Sequence, residues 1–104
     1  MNIIKKIKAS LRLREAIRKA DKAFEETKER HYVMPTTKEE QLIIMDRKNF
    51  RILKQKHYIS NKKSIYDLER ACFYCTPYAN GNGKLSKEDI ALKKQAYLKW
   101  IERK

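Results

Sequence analysis

The sequence is poor in the residues that break regular structure, with two glycines and two prolines among 104 positions. Long regular elements joined by short connectors are therefore expected. Long apolar runs are also missing, so no segment reads as a membrane span. No apolar signal-peptide core follows the first lysines, so secretion by such a signal is not expected. Two cysteines without a secretory signal fit a reducing compartment, where thiols stay free. Two histidines lack a convincing serine or cysteine partner, and no glycine-rich phosphate loop precedes a helix. A catalytic constellation is thus missing, and neither enzyme activity nor a cofactor is expected.

Positive charge is abundant: Lys and Arg number 26 against 13 Asp and Glu, a net +13. The excess is concentrated. Residues 1–14 hold Lys5, Lys6, Lys8, Arg12 and Arg14 and no acid. Residues 47–63 hold Arg47, Lys48, Arg51, Lys54, Lys56, Lys62 and Lys63 and no acid. These five and seven cations supply 12 of the 13 net charges, and the rest of the chain is nearly balanced. Two acid-free blocks point to an anionic partner more than to a merely solvated surface.

Residues 2–30 read as helix, built from good formers without Gly or Pro. Their apolar stripe changes face. Ile3, Ile4, Ile7 and Leu11 centre on one direction. Leu13, Ala16, Ile17, Ala20, Ala23 and Phe24 centre roughly 150° away. The later set is the better core face. Residues 1–12 are then a basic amphipathic arm that meets a partner, and 13–104 are one compact domain. A kink near Ala9 and Ser10, folding the arm back, is the alternative.

His31–Met34 and Gln41–Met45 favour strands, and the polar loop Pro35–Glu40 between them has hairpin length. Asp46 is placed to cap a helix over 47–58. Ser64, with Asp67 three residues on, signals a helix over about 65–75, and Thr76–Pro77 a stop. Ser86 with Asp89 opens a last helix to about 102. The expected class is α+β, mainly α: an N-terminal helix, a hairpin at about 31–45, then three helices.

Residues 72–89 look like two metal motifs in succession. Cys72 and Cys75 form a C-x-x-C, yet a structural zinc needs four ligands, and His31 and His57 are not at finger spacing. A redox pair usually sits at a helix N-terminus, whereas this one falls at a helix C-terminus. The pair instead continues the stripe of Ile65 and Leu68 as small hydrophobes. Tyr78–Asp89 resembles a calcium loop, with Gly83 at the sharp turn and Asn80, Asn82 and Asp89 as candidate ligands. Tyr78 stands where the first carboxylate belongs, and Asp89 is a methylene shorter than the usual Glu. A turn feeding a Ser-capped helix explains the same residues, so no metal is expected.

A helix-turn-helix over 47–75 has its chemistry inverted. Its second helix offers Asp67, Glu69 and only Arg70, while the cations lie on the first helix and connector. That arrangement suits phosphate contact or docking on acidic surface.

The segments HYVMP, LIIMDRKNF and CFYCTPY resemble ones in small basic proteins of crAss-like tailed phages of gut Bacteroides-type hosts. The resemblance spans most of residues 31–78 and brings no assigned residue with it. It implies a structural or accessory assembly protein of the virion, in the head or portal region, located in the virion or the host cytoplasm. The partners then expected are acidic protein surface, packaged DNA or both. A sequence-tolerant nucleic-acid-binding protein is the alternative. Membrane-surface or groove binding through the arm (Ile3, Ile4, Ile7 and Leu11 with its cations) ranks below both.

Overall fold

The computed structural model describes residues 2–36, 41–60 and 62–103, so residues 37–40 of the expected hairpin loop lie outside it. Helix α1 covers Ile3–Thr27, β1 covers His31–Pro35, β2 covers Leu42–Asp46 and α2 covers Arg47–Gln55. Helix α3 covers Ile65–Ala71, β3 covers Tyr74–Cys75 and α4 covers Lys87–Glu102. The α+β, mainly helical class is as expected.

Helix α1 is one continuous helix, and it runs without a break through the expected boundary at residue 12. The Asn2 side chain caps its start by accepting the Lys5 N–H at 2.7 Å. Its buried face is Ala9, Leu13, Ala16 and Ala20, at spacings of four, three and four. Ala9 lies inside the segment read as an arm, yet it is buried, and its carbonyl accepts the Tyr97 hydroxyl at 2.8 Å. No kink forms at Ala9 and Ser10. The isoleucines of the first stripe remain outside the core, with Ile3 74% and Ile7 54% exposed.

The sheet order is β2-β1-β3, all antiparallel. The third strand was not expected. The helix predicted to reach residue 75 ends at Ala71, because Cys72 turns extended and the next residues pair with β1. Phe73 donates its N–H to the Val33 carbonyl at 2.8 Å, and Thr76 donates to the His31 carbonyl at 2.9 Å. The Thr76 hydroxyl in turn accepts the His31 N–H. The aromatic and small residues of this segment favour an extended chain once a strand edge is offered. Helix α2 also stops early, at Gln55, with His57 in the left-handed region just beyond it.

The central strand β1 is buried on both faces. Val33 points toward α1 and α4, where it joins Leu13, Ala20, Phe73, Tyr97 and Ile101. Tyr32 points the other way and joins Met45, Phe50, Leu68, Cys72 and Cys75. Alternation along the pleat therefore produces two cores from one strand. Small alanines let α1 approach the sheet closely, and the Phe73, Tyr97 and Trp100 rings fill the remaining space with centroids 5.2–6.2 Å apart.

Ile101 is fully buried, so Ile101→Ala is expected to cost about 2–5 kcal/mol. Ile7→Ala is expected to stay within about 0.5 kcal/mol of the parent. Urea denaturation of both variants checks this division of the isoleucines.

Candidate anion-binding groove

The link between α1 and β1 sets up the site. Helix α1 ends at Lys28 in the left-handed conformation, with its N–H on the Phe24 carbonyl at 2.7 Å. The chain then turns into β1 and carries Arg30 across the second core. The Arg30 side chain is only 8% exposed. It is held by a carboxylate, a sulfur and a carbonyl. One terminal nitrogen donates to Glu69 Oε1 at 3.0 Å, and the other to Cys75 Sγ at 3.0 Å and the Gly83 carbonyl at 3.1 Å. Its plane lies 4.4 Å from the Tyr78 ring centroid and 5.5 Å from that of Tyr32. The Tyr78 hydroxyl closes the circuit on Glu69 Oε1 at 3.0 Å. Burial works against the Arg30 charge, but the Cys75 sulfur and the tyrosines more than restore it, so the proton is held more tightly than in a free arginine.

Above this cluster lies a groove of about 720 Å³, lined by Lys28, Glu29, Arg30, Tyr32, Arg47, Lys48, Arg51, Tyr78, Ala79 and Asn80. Five of its residues are cationic and one is acidic. Helix α2 starts at the groove wall with Asp46 as its cap, the carboxylate accepting the Asn49 N–H at 2.7 Å. Its first two turns bring Arg47, Lys48 and Arg51 to the groove, and all three are exposed. Lys54 lies one turn on, 5.4 Å from the Phe50 ring centroid, in an adjoining hollow that it shares with Arg47 and Arg51. Lys56 closes the C-terminal end of α2. Lys62 and Lys63 sit on the exposed connector before α3, outside the groove lining.

The basic block expected from the sequence thus divides. Arg47, Lys48 and Arg51 meet at the groove, Lys54 extends it, and Lys56, Lys62 and Lys63 lie apart. Sequence reading missed Lys28, Arg30, Tyr32 and Tyr78 as their companions. Only long-range pairing brings them together, since Arg30 meets Glu69, Cys75 and Gly83 across tens of residues. An arginine directly before a strand-forming run was the one local signal.

The residues singled out as metal candidates build the turn, the start of α4 and the second core. Asn80 Oδ1 accepts the Asn82 N–H at 3.0 Å, and the Tyr78 N–H donates to the Asn82 carbonyl at 2.8 Å. Asp89 presents its N–H to the Ser86 hydroxyl in the first turn of α4. Cys72 and Cys75 are free and buried, as part of the second core. Among the described residues, no three His, Cys, Asp or Glu side chains converge on a point that could hold a metal.

The α1 stripe borders a separate hollow of about 560 Å³, lined by Ile3, Lys6, Ile7, Ser10, Leu11, Leu13, Arg14, Ile17 and Lys94. Ile4 and Lys8 are exposed outside that lining, as is Arg12, while Lys5 is half-buried. Among the described residues, no helix is long and apolar enough to cross a membrane.

No protein-family model matches this chain, and no curated protein or solved structure matches it either.

Gly83 is the tightest point of the site. Its φ is +77°, and a Cβ there would meet Arg30 Nη1 at 2.9 Å and Tyr78 Cδ2 at 3.2 Å. Gly81, with φ +86°, has open space around it. Gly83→Ala is therefore expected to cost on the order of 1–3 kcal/mol from backbone conformation, plus the displacement of Arg30. Gly81→Ala should cost the backbone part alone. Thermal melts of the two variants check the ordering.

Proposed function

We propose that this is a non-enzymatic accessory protein of a larger assembly that docks through its basic groove on nucleic-acid phosphate, without reading sequence. The observation that carries this reading is the convergence of exposed Lys28, Arg47, Lys48 and Arg51 on one groove floored by Arg30 and flanked by tyrosines. Phosphates are met by such cations wherever the backbone runs, whatever the base sequence. Helix α3 supports no base reading, since its Arg70 is paired at 3.3 Å with Asp67 on the same helix. The resemblance to proteins of crAss-like phages suggests the setting, a virion component near the head or portal that contacts packaged DNA.

A protein partner is the second reading, favoured by the exposed stripe of Ile3, Ile4, Ile7 and Leu11 on an otherwise well-packed helix. Lys6, Arg14 and Lys94 rim the neighbouring hollow, which suits an acidic partner surface. A native pull-down with and without nuclease separates the two partners. Ile3→Ser with Ile7→Ser tests the stripe without touching Ala9, which a truncation of residues 1–12 would remove from the core.

For the first reading, log affinity for unrelated DNA oligonucleotides should fall linearly with log salt. Four exposed cations predict a slope of about −3 on single strands and about −4 on duplex. Arg47→Glu with Arg51→Glu should weaken binding to all sequences alike and flatten the slope by about 2. Fluorescence anisotropy across a salt series measures both. Binding indifferent to salt, or to the double reversal, would remove this reading.

A further inference from the structure

The second core contains a charged cluster that the groove does not explain. Cys75 Sγ lies 3.0 Å from an Arg30 terminal nitrogen, close for a neutral thiol and suited to a thiolate. Lys93 approaches from α4, donating to the carbonyls of Glu69 at 2.9 Å and Cys72 at 3.0 Å. Arg30 is thus shared between the Glu69 carboxylate on one terminal nitrogen and the Cys75 sulfur on the other, a geometry that favours a thiolate on Cys75. Cys72, three residues before Cys75 and buried in the same core, donates its thiol to the Glu69 carbonyl at 3.3 Å.

We propose that Cys72 and Cys75 form a redox-active dithiol. Cys75 is a thiolate held against Arg30, and Cys72 is the resolving thiol. A hydroperoxide converts the pair to a disulfide and removes the negative charge beneath Arg30. The Cys75 thiolate attacks the peroxide oxygen, the O–O bond breaks, and hydroxide leaves, giving a sulfenic acid on Cys75. The Cys72 sulfur then attacks the Cys75 sulfur and expels hydroxide, which takes the Cys72 proton to become water. The two cysteines lose two electrons in all, and the peroxide gains them.

A buried cysteine is ordinarily inert because apolar surroundings keep it protonated. Here Arg30 interrupts the apolar surroundings formed by Met45, Phe50 and Leu68. Interaction with the neighbouring Cys72 lowers the Cys75 pKa to about 6 against the opposing effect of burial, with Arg30 and Lys93 adding to the stabilisation. The same interaction, with burial, pushes Cys72 well up. Both residues are 2% exposed, so the pair calls for a small oxidant such as hydrogen peroxide rather than a bulky disulfide reagent.

Between pH 6 and the usual thiol range, the folded chain has lost a proton that the unfolded chain keeps, so Cys75 adds stability as pH rises. That contribution is complete above the unfolded-state pKa and lost as pH falls through about 6.

The test uses the full chain. Ultraviolet thiolate absorbance of the folded protein should titrate with a midpoint near 6. The step should vanish in Cys75→Ser and move upward in Arg30→Met and in Cys72→Ser. Hydrogen peroxide should yield a species lighter by two hydrogens, reversed by a dithiol, and in Cys72→Ser a Cys75 sulfenic acid, read by intact mass as the gain of one oxygen. Oxidised glutathione should react far more slowly than peroxide with the native protein. A first thiolate step in the parent only above about pH 8 would overturn the proposal, whatever the variants do. So would peroxide treatment that leaves both thiols intact or oxidises them without forming the bridge.

Discussion

A buried guanidinium must be surrounded by acceptors, and the arrangement of this protein's second core follows from that constraint. Arg30 leaves the turn after α1, crosses beneath the groove, and finds Glu69 from α3, Cys75 from β3 and the Gly83 carbonyl from the loop before α4. Its Nε is buried without a hydrogen-bond partner, so the terminal nitrogens carry the whole burden of compensation. Tyr78 serves twice, covering the guanidinium face and donating its hydroxyl to the same Glu69 oxygen. One side chain thereby ties together four segments around the second core.

The first core is held differently, by apolar packing and close approach. Alanines on α1 bring the helix down on the sheet, and Tyr97 adds its hydroxyl to a helix carbonyl deep in the interface. Tyr74 binds β3 to α1 by donating to Asp21 at 2.7 Å, so the short third strand is anchored from both sides. Burial and that hydrogen bond keep the Tyr74 hydroxyl protonated well beyond the usual phenol range. A two-residue strand is weak by itself, and these side-chain anchors explain why it persists.

Local signals were legible where the chemistry was local. Asp46 and Ser86 cap the helices they were expected to cap, and Ser64 exchanges hydrogen bonds with Asp67. The hairpin follows from two β-favouring runs. The strand at Tyr74–Cys75 was hidden because Cys72 and Cys75 continue a helical spacing from Ile65 and Leu68; only the edge of β1 decides between helix and strand there. The groove was half legible. A run of cations without acids marked Arg47, Lys48 and Arg51, but charge counting is blind to a cation buried by partners distant in sequence. The opposed stripes of α1 reflect a real division of faces, with Ala9 and Leu13 turned in and the isoleucines turned out. A helix can carry both without breaking when one face remains uncovered.

The order β2-β1-β3 joins neighbours in space that are unequal in sequence. The hairpin of β1 and β2 closes over a short loop, whereas β3 reaches β1 only after α2 and α3 have been made. A growing chain therefore contains the residues of α1, the hairpin and α2 before those of Glu69, Cys75 and Gly83, the groups that Arg30 faces. The cations of α2 are present from the middle of the chain onward, but the floor beneath them needs the last third of the molecule. Half the protein is thus not half a groove.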